Sequence, residues 1–173
     1  MRLSRNVFVV VAVLAASALL VFADEARQAF GFNAPLVAGF PGGRSVELTG
    51  GGAYKLSGFV QTGGSFRCLS SITAGPFAGC LAGQGVRWDA ATLLPSTTFK
   101  CTGAATEVLK SVSTGNTSVA LLSDFYRQGD GDEESFTAQM IVSKSDIAPD
   151  VPGVQTVWIQ GIGCGDAISN FNR

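Results

Sequence analysis

The sequence predicts an all-β protein, a compact antiparallel β-barrel of about seven or eight strands, with a β-sandwich as the alternative. Two observations lead to this fold class. Short segments that alternate apolar and polar residues follow one another, and turn residues separate them. Glycine accounts for 22 of the 173 residues and occurs in pairs and triplets within or beside these segments. Because glycine weakens helices and permits sharp bends in strands, this distribution favours the coiled sheet of a barrel.

Residues 1–23 have the layout of a secretory signal peptide, a helical leader that is cleaved on export. Two arginines precede an uncharged apolar run over residues 7–22, and Ala23 supplies the small residue of a cleavage site. This run is shorter than the about 20 residues of a membrane-spanning helix, which favours cleavage over a retained anchor. We therefore expect a secreted, periplasmic or cell-envelope protein that has no stable membrane anchor after cleavage.

The remaining chain divides into a lead-in and one domain. Residues 24–44 contain prolines and paired glycines that interrupt every regular period, so we expect a linker or a weakly ordered lead-in. Residues 45–173 hold the main strand patterns and form a single β domain, long enough to bury its own core.

The elements of this domain follow from the residue pattern in chain order. The clearest pair of strands covers residues 118–127 and 135–144, which flank an acidic turn at 128–134 and form a hairpin. One short helix is predicted over residues 103–112, where apolar residues recur at helical spacing. The other predicted strands cover residues 45–49, 53–56, 59–68, 85–88, 96–102, 154–164 and 167–171.

Four cysteines fit an exported chain with two disulfides. The cysteines allow three connectivities, of which we favour Cys68–Cys80 with Cys101–Cys164, because the first closes a glycine-rich loop and the second joins an internal strand to the last one. A zinc site is the rival interpretation. It is disfavoured because the chain has no histidine and no pair of cysteines separated by two residues. We expect neither a metal nor a cofactor.

The absence of histidine also excludes the common catalytic triads and most catalytic zinc sites. Carboxylates remain as candidate catalytic groups. Asp89 is a candidate catalytic residue because it lies beside Trp88, whose ring could shift the pKa of the carboxyl group. The simpler interpretation is that such acids pair with nearby arginines at the ends of strands. The acidic turn at 128–134 could hold calcium, but it lacks the residue order of an EF-hand, and a solvated hairpin tip, which we favour, explains it without a metal.

Aromatic residues on the predicted strands are candidate contacts for a small apolar molecule inside the barrel. A small barrel can hold one such ligand, or its interior can be filled by side chains. Nucleic acid is not an expected partner, because 12 basic residues are set against 13 acidic ones and no basic stripe exists to neutralise phosphates. The candidate ligand-binding residues are Phe66, Trp88, Phe99 and Trp158.

Five segments, taken together, resemble small exported bacterial proteins that are uncharacterised. The resemblance implies export and carries no activity or site residue. The glycine-rich strands are also similar to the compact eight-stranded barrels of the lipocalin and allene oxide cyclase families, although a shared fold does not imply a shared function. The segments are Val46-Glu-Leu-Thr-Gly-Gly-Gly52, Gly63-Gly-Ser-Phe-Arg-Cys68, Gly85-Val-Arg-Trp-Asp89, Leu94-Pro-Ser-Thr-Thr-Phe-Lys-Cys-Thr-Gly103 and Gly161-Ile-Gly-Cys164.

These observations predict an exported, non-enzymatic binding or structural module that holds a small apolar ligand in its barrel. The alternative is a barrel enzyme of the cyclase or isomerase type that uses a single carboxylate. An interior pocket with Asp89 facing into it would favour the enzyme. A filled interior with Asp89 on the outside would favour the module.

Overall fold

The computed structural model describes residues 26–172, which contain ten β-strands and no helix. The predicted signal helix over residues 1–23 lies outside the described residues. The strands are β1 (Gln28–Gly39), β2 (Val46–Tyr54), β3 (Val60–Cys68), β4 (Arg87–Leu94), β5 (Ser96–Phe99), β6 (Lys110–Ser113), β7 (Ser118–Tyr126), β8 (Phe136–Ser143), β9 (Val157–Ile159) and β10 (Gly163–Asn172).

Eight of these strands close into an antiparallel barrel in the order β1-β10-β9-β8-β7-β4-β3-β2, which confirms the predicted fold class. The barrel is closed by β1 and β10, which pair from Ala29–Asn172 to Gly39–Gly163. The other two strands, β5 and β6, form a separate two-stranded sheet. Side chains within the barrel alternate between the lumen and the outer wall, as the two-residue period of a strand requires.

The expected lead-in over residues 24–44 is wrong for residues 28–39, which form β1 within the barrel wall. Phe30, Phe32 and Ala34 alternate into the core as a strand requires. Pro35 does not break this strand, because a β-bulge shifts the register towards both neighbouring strands at this point. A bulge is one of the few places where a sheet accepts a proline.

The helix predicted over residues 103–112 is also wrong, since this segment contains turns followed by β6. Its apolar residues Val108 and Leu109 are 70% and 62% exposed, so the side chains that a helix would have buried do not pack against a core. The turn is held instead by the carboxylate of Glu107. This carboxylate accepts hydrogen bonds from the backbone N–H of Cys101 (2.5 Å) and from the N–H (2.8 Å) and hydroxyl (2.6 Å) of Thr102.

The same contacts determine the pKa of the Glu107 carboxyl group. Burial of Glu107 raises the pKa of its carboxyl group, but the hydrogen bonds from Thr102 and Cys101, together with Lys110, outweigh burial and lower the pKa to about 2. Lys110 Nζ lies 3.1 Å from Glu107 and 2.9 Å from Asp150. The turn thus depends on an ionised Glu107.

One end of the barrel, here called the closed end, is covered by the loop at residues 69–86. The Cys68–Cys80 disulfide ties this loop to the end of β3. Phe77 lies buried beneath the loop, and its ring centroid is 4.8 Å from that of Phe125 and 5.4 Å from that of Phe136. Edge-on contacts between aromatic rings stabilise such a cluster beyond the area that they bury. The loop therefore acts as a hydrophobic plug.

A second, smaller core lies outside the barrel, between the wall and the β5–β6 sheet. Phe99 from β5 packs on Trp158 from β9, with ring centroids 5.6 Å apart, and Ile141 from β8 is buried in the same cluster. The Cys101–Cys164 disulfide joins the chain after β5 to β10 beside these rings. Both disulfides of the favoured connectivity are therefore present.

Candidate functional site

The four aromatic residues predicted to contact a ligand do not line one cavity. Phe66 and Trp88 lie in the barrel lumen, whereas Phe99 and Trp158 belong to the core on the other side of the wall. Trp158 also donates its indole N–H to the carbonyl of Lys100 at 2.8 Å. Phe99 and Trp158 thus fasten the small sheet to the barrel, and only Phe66 and Trp88 face the interior.

Asp89 follows lumen-facing Trp88 and lies on the outer wall of β4. Its carboxylate accepts a hydrogen bond from the hydroxyl of Tyr126 at 3.4 Å, and its cross-strand neighbour is Asp124. Arg87 lies over the ring of Tyr126, 4.2 Å from its centroid. Burial, followed by the charge of Asp89, raises the pKa of the Tyr126 hydroxyl. This arrangement is a surface cluster without access to the lumen.

The acidic turn predicted as a hairpin tip is held by its own side chains. Asp130 accepts hydrogen bonds from the Ser135 hydroxyl (2.6 Å) and from Arg127 Nε (3.1 Å), which lower the pKa of its carboxyl group. Asp132 pairs with Arg87 at 3.1 Å. Among residues 26–172, no group of three or more acidic or cysteine side chains is placed to hold a metal ion.

The shortest ladder of the barrel wall joins β3 and β4. Their ladder consists of the pairs Gly63–Asp89 and Gly64–Trp88, while β2 and β3 pair along their whole length. Beyond these pairs, a bulge between Ala90 and Thr92 shifts the register of β4 on β7. Residues 60–62 of β3 and 90–94 of β4 therefore face each other without a ladder. We call this opening the seam.

A cavity of about 250 Å³ lies at the outer end of the seam, opposite the closed end of the barrel. We call it the mouth cavity. Leu93 is one of its lining residues and is also buried, at 8% exposure, within the core of the barrel. The cavity therefore reaches from the surface to a side chain of the lumen. Its lining residues are Leu56, Ser57, Gly58, Leu93, Pro95 and Thr114.

Three polar side chains are buried in the described part of the barrel without a hydrogen-bond partner in the protein for one oxygen each. They are Thr62 (Oγ1), Ser123 (Oγ) and Gln28 (Oε1). Gly63 pairs with Asp89 on β4, and Ser123 pairs with Ala90, so Thr62 and Ser123 lie on either side of Ala90. Thr62 lies four residues before lumen-facing Phe66, and Ser123 lies two residues from lumen-facing Leu121 and Phe125, so each shares the inner face of its strand. The two hydroxyl groups therefore face the interior next to the seam.

A larger and shallower depression, of about 680 Å³, lies on the outer wall at the junction of β1 and β10. We call it the outer groove. The bulge in β1 turns Leu36 outwards, where it is 54% exposed, and Ile168 of β10 is 80% exposed. Val154 from the loop before β9 completes the apolar part of the lining. None of the residues that line the outer groove belongs to the lumen cluster of Phe66, Trp88 and Leu93.

Sequence reasoning missed the residues of the seam and the hydroxyl pair. Thr62 shares a strand face with Phe66, and Ser123 shares one with Leu121 and Phe125. Each is therefore a polar residue on an otherwise apolar face. A polar residue at a core position is a recognisable exception to the binary pattern of a strand. Leu93 gave no such indication, because the loss of pairing beside it arises only when the barrel closes.

Comparison with protein families, with curated proteins and with solved structures finds no match for this chain. No function is therefore transferred from another protein. Within residues 26–172, no helix has the length and apolar character needed to cross a membrane.

Proposed function

We propose that this protein is an exported, non-enzymatic binding module that takes a small apolar molecule at the mouth cavity and in the adjoining part of the lumen. One observation carries the proposal: Leu93 lines the mouth cavity and also belongs to the barrel core, at the seam where β3 and β4 are not paired. An apolar ligand could bury its surface there without displacing the plug at the closed end.

Export is supported by two independent features. The leader at residues 1–23 has the charge and hydropathy pattern of a signal peptide. The two disulfides are typical of extracellular or periplasmic proteins, because cytosolic thiols are kept reduced.

The alternative, a cyclase or isomerase that uses Asp89, has less support. A general acid or base must reach the proton that it transfers, within hydrogen-bond distance or through one water. Asp89 lies on the outer wall beside Tyr126, on the opposite face of β4 from the lumen-facing Trp88. A ligand in the lumen would be separated from this carboxylate by the strand itself.

The proposal is tested by titrating the chain from residue 24 onwards with N-phenyl-1-naphthylamine, a neutral apolar probe that fluoresces in apolar surroundings. We expect saturable binding. Leu93→Trp fills the mouth cavity and should weaken binding at least tenfold. Leu56→Asp, at a side chain that is 49% exposed, should weaken binding by placing a charge at the entrance without touching the core.

Ile168→Ser in the outer groove is the matched control and should bind the probe as the unmodified chain does. Circular dichroism and thermal melting establish that each variant is folded. If Leu93→Trp does not fold, Leu56→Asp decides the result. Absence of saturable binding, or loss of binding in Ile168→Ser alone, would overturn the proposal.

A further inference from the structure

The polar groups of the lumen indicate what kind of ligand the barrel accepts. We infer that a molecule bound through the mouth cavity places an uncharged hydrogen-bonding group, such as an alcohol or a ketone, between the hydroxyls of Thr62 and Ser123. This inference rests on the proposed function and specifies the chemistry of the same site.

The two hydroxyls are unusual because of their surroundings. Thr62 is 8% exposed and Ser123 is fully buried, and neither oxygen has a partner within the protein. Buried polar groups are nearly always hydrogen-bonded, and an unsatisfied one costs about 1–3 kcal/mol. Replacing both residues by apolar ones would remove this cost. Their presence is therefore accounted for if a bound molecule supplies the missing partner.

Small residues flank the two hydroxyls along the barrel wall. Thr62 pairs with Gly52 on one side, and Ser123 pairs with Ala138 on the other, while Ala90 lies between them. These five residues form a belt of small side chains across five neighbouring strands, β2, β3, β4, β7 and β8. Adjacent strands are about 4.8 Å apart, so Thr62 and Ser123 are separated by roughly 10 Å. The inferred position of the ligand's polar group is therefore at Ala90, between the strands that carry the two hydroxyls.

The belt is also connected to the entrance. Ala90 faces the lumen yet is only partly buried, and it lies on the same strand as Leu93, which lines the mouth cavity. Between them β4 bulges and has no ladder to β3. An apolar chain that enters at Leu93 would bring its end to the level of Ala90, where the two hydroxyls lie.

The uncharged lining of the lumen selects against ionised ligands. The buried polar side chains that the described strands point into the lumen, Gln28, Thr62 and Ser123, are uncharged. A carboxylate without a cationic partner would lose its hydration and gain little in return. Serine and threonine hydroxyls both donate and accept, which suits a neutral alcohol or a ketone.

The test is displacement of N-phenyl-1-naphthylamine by three probes of equal chain length: 1-octanol, 2-octanone and octanoate at pH 7.5. We expect the alcohol and the ketone to displace the fluorophore at least tenfold more effectively than the carboxylate. With the affinity of the fluorophore measured separately on each variant, Thr62→Val and Ser123→Ala should each weaken 1-octanol by roughly fivefold, the effect of one hydrogen bond.

Thr137→Val, on the outer wall of β8, is the control and should change neither affinity. If 1-octanol binds equally to Thr62→Val, Ser123→Ala and the unmodified chain, the hydroxyls do not contact the ligand and this inference fails, while fluorophore binding still supports the proposed function. Octanoate binding as tightly as 1-octanol would also overturn it. If the fluorophore itself does not bind, the proposed function fails first.

Discussion

The indole N–H of Trp88 donates a hydrogen bond to the backbone carbonyl of Thr49, 3.0 Å away, across the inner surface of the barrel. This contact brings the indole against Gly50, where a Cβ atom would lie 2.7 Å from Cζ2 of Trp88. Gly50 pairs with Gly64, so two adjacent strands leave room for the ring. The paired glycines thus hold the largest side chain of the lumen.

Gly50→Ala is therefore expected to destabilise the protein by about 1–3 kcal/mol, because the added methyl group clashes with the indole and with neighbouring backbone. Urea unfolding followed by tryptophan fluorescence measures the change. Gly31→Ala is the matched control, since its nearest non-neighbouring atom would be 3.9 Å from the new Cβ. Equal stability of the two variants would contradict the role assigned to Gly50.

The Glu107 turn predicts an acid-sensitive contribution to stability. The folded pKa of Glu107 is about 2, below the ordinary 4.5. Because the lowered pKa means that the folded state favours the carboxylate, the contribution is complete above pH 4.5 and is lost as the pH falls towards about 2. Glu107→Gln should cost about 2 kcal/mol at pH 7 and flatten the pH dependence between these limits.

Unfolding free energies measured by urea between pH 2 and pH 7 check this expectation. Glu133→Gln, in the exposed acidic turn, serves as the comparison and should retain the pH dependence of the unmodified chain. An unchanged acid profile in Glu107→Gln would show that other carboxyl groups produce it.

The two disulfides should contribute unequally. Cys68–Cys80 spans 12 residues and Cys101–Cys164 spans 63. Loop-closure entropy gives about 3 kcal/mol for the shorter loop and about 4 kcal/mol for the longer one. Paired cysteine-to-alanine variants of each bridge, compared by urea unfolding, test this order. A larger loss for the Cys68–Cys80 variant would mean that packing of the plug outweighs chain entropy.

Tyr126 reports on the environment of Asp89. Burial and the nearby negative charge raise the pKa of the Tyr126 hydroxyl, so this tyrosine should ionise at a higher pH than a free one. Asp89→Asn should lower that pKa, since it removes a charge that disfavours the phenolate. Ultraviolet absorbance during alkaline titration measures the midpoint. If Asp89→Asn leaves the midpoint unchanged, the charge of Asp89 does not act on the Tyr126 hydroxyl.

Much of the fold could be predicted from local pattern. The alternating segments around Phe66 and Phe125 indicate strands, because the two-residue period of a strand does not depend on how the strands are ordered in the sheet. The strand β1 was missed because Pro35 interrupts its sequence, and only its pairing with both neighbours shows that a bulge absorbs the proline. Local pattern therefore finds elements but does not reveal how an irregular one is accommodated.

The site was less predictable for a different reason. Alternation separates two faces of a strand without saying what covers each face. Trp158 points away from the lumen and is nevertheless buried, because the β5–β6 sheet lies over it. Its partner Phe99 was grouped with Trp88 by residue type alone, although the barrel wall separates them. Residue type indicates burial, whereas the side of the wall depends on long-range closure.

The pairing of β1 with β10 has a consequence for how this chain folds. The two strands farthest apart in the described chain complete the ring, so the cylinder cannot shut until β10 has been synthesised. Until then the outermost strands of the incomplete sheet present unpaired edges to other molecules. Folding should accordingly be slow and late, with contacts distant in sequence formed at the end, and a chain cut short before β10 should aggregate rather than settle into a smaller barrel.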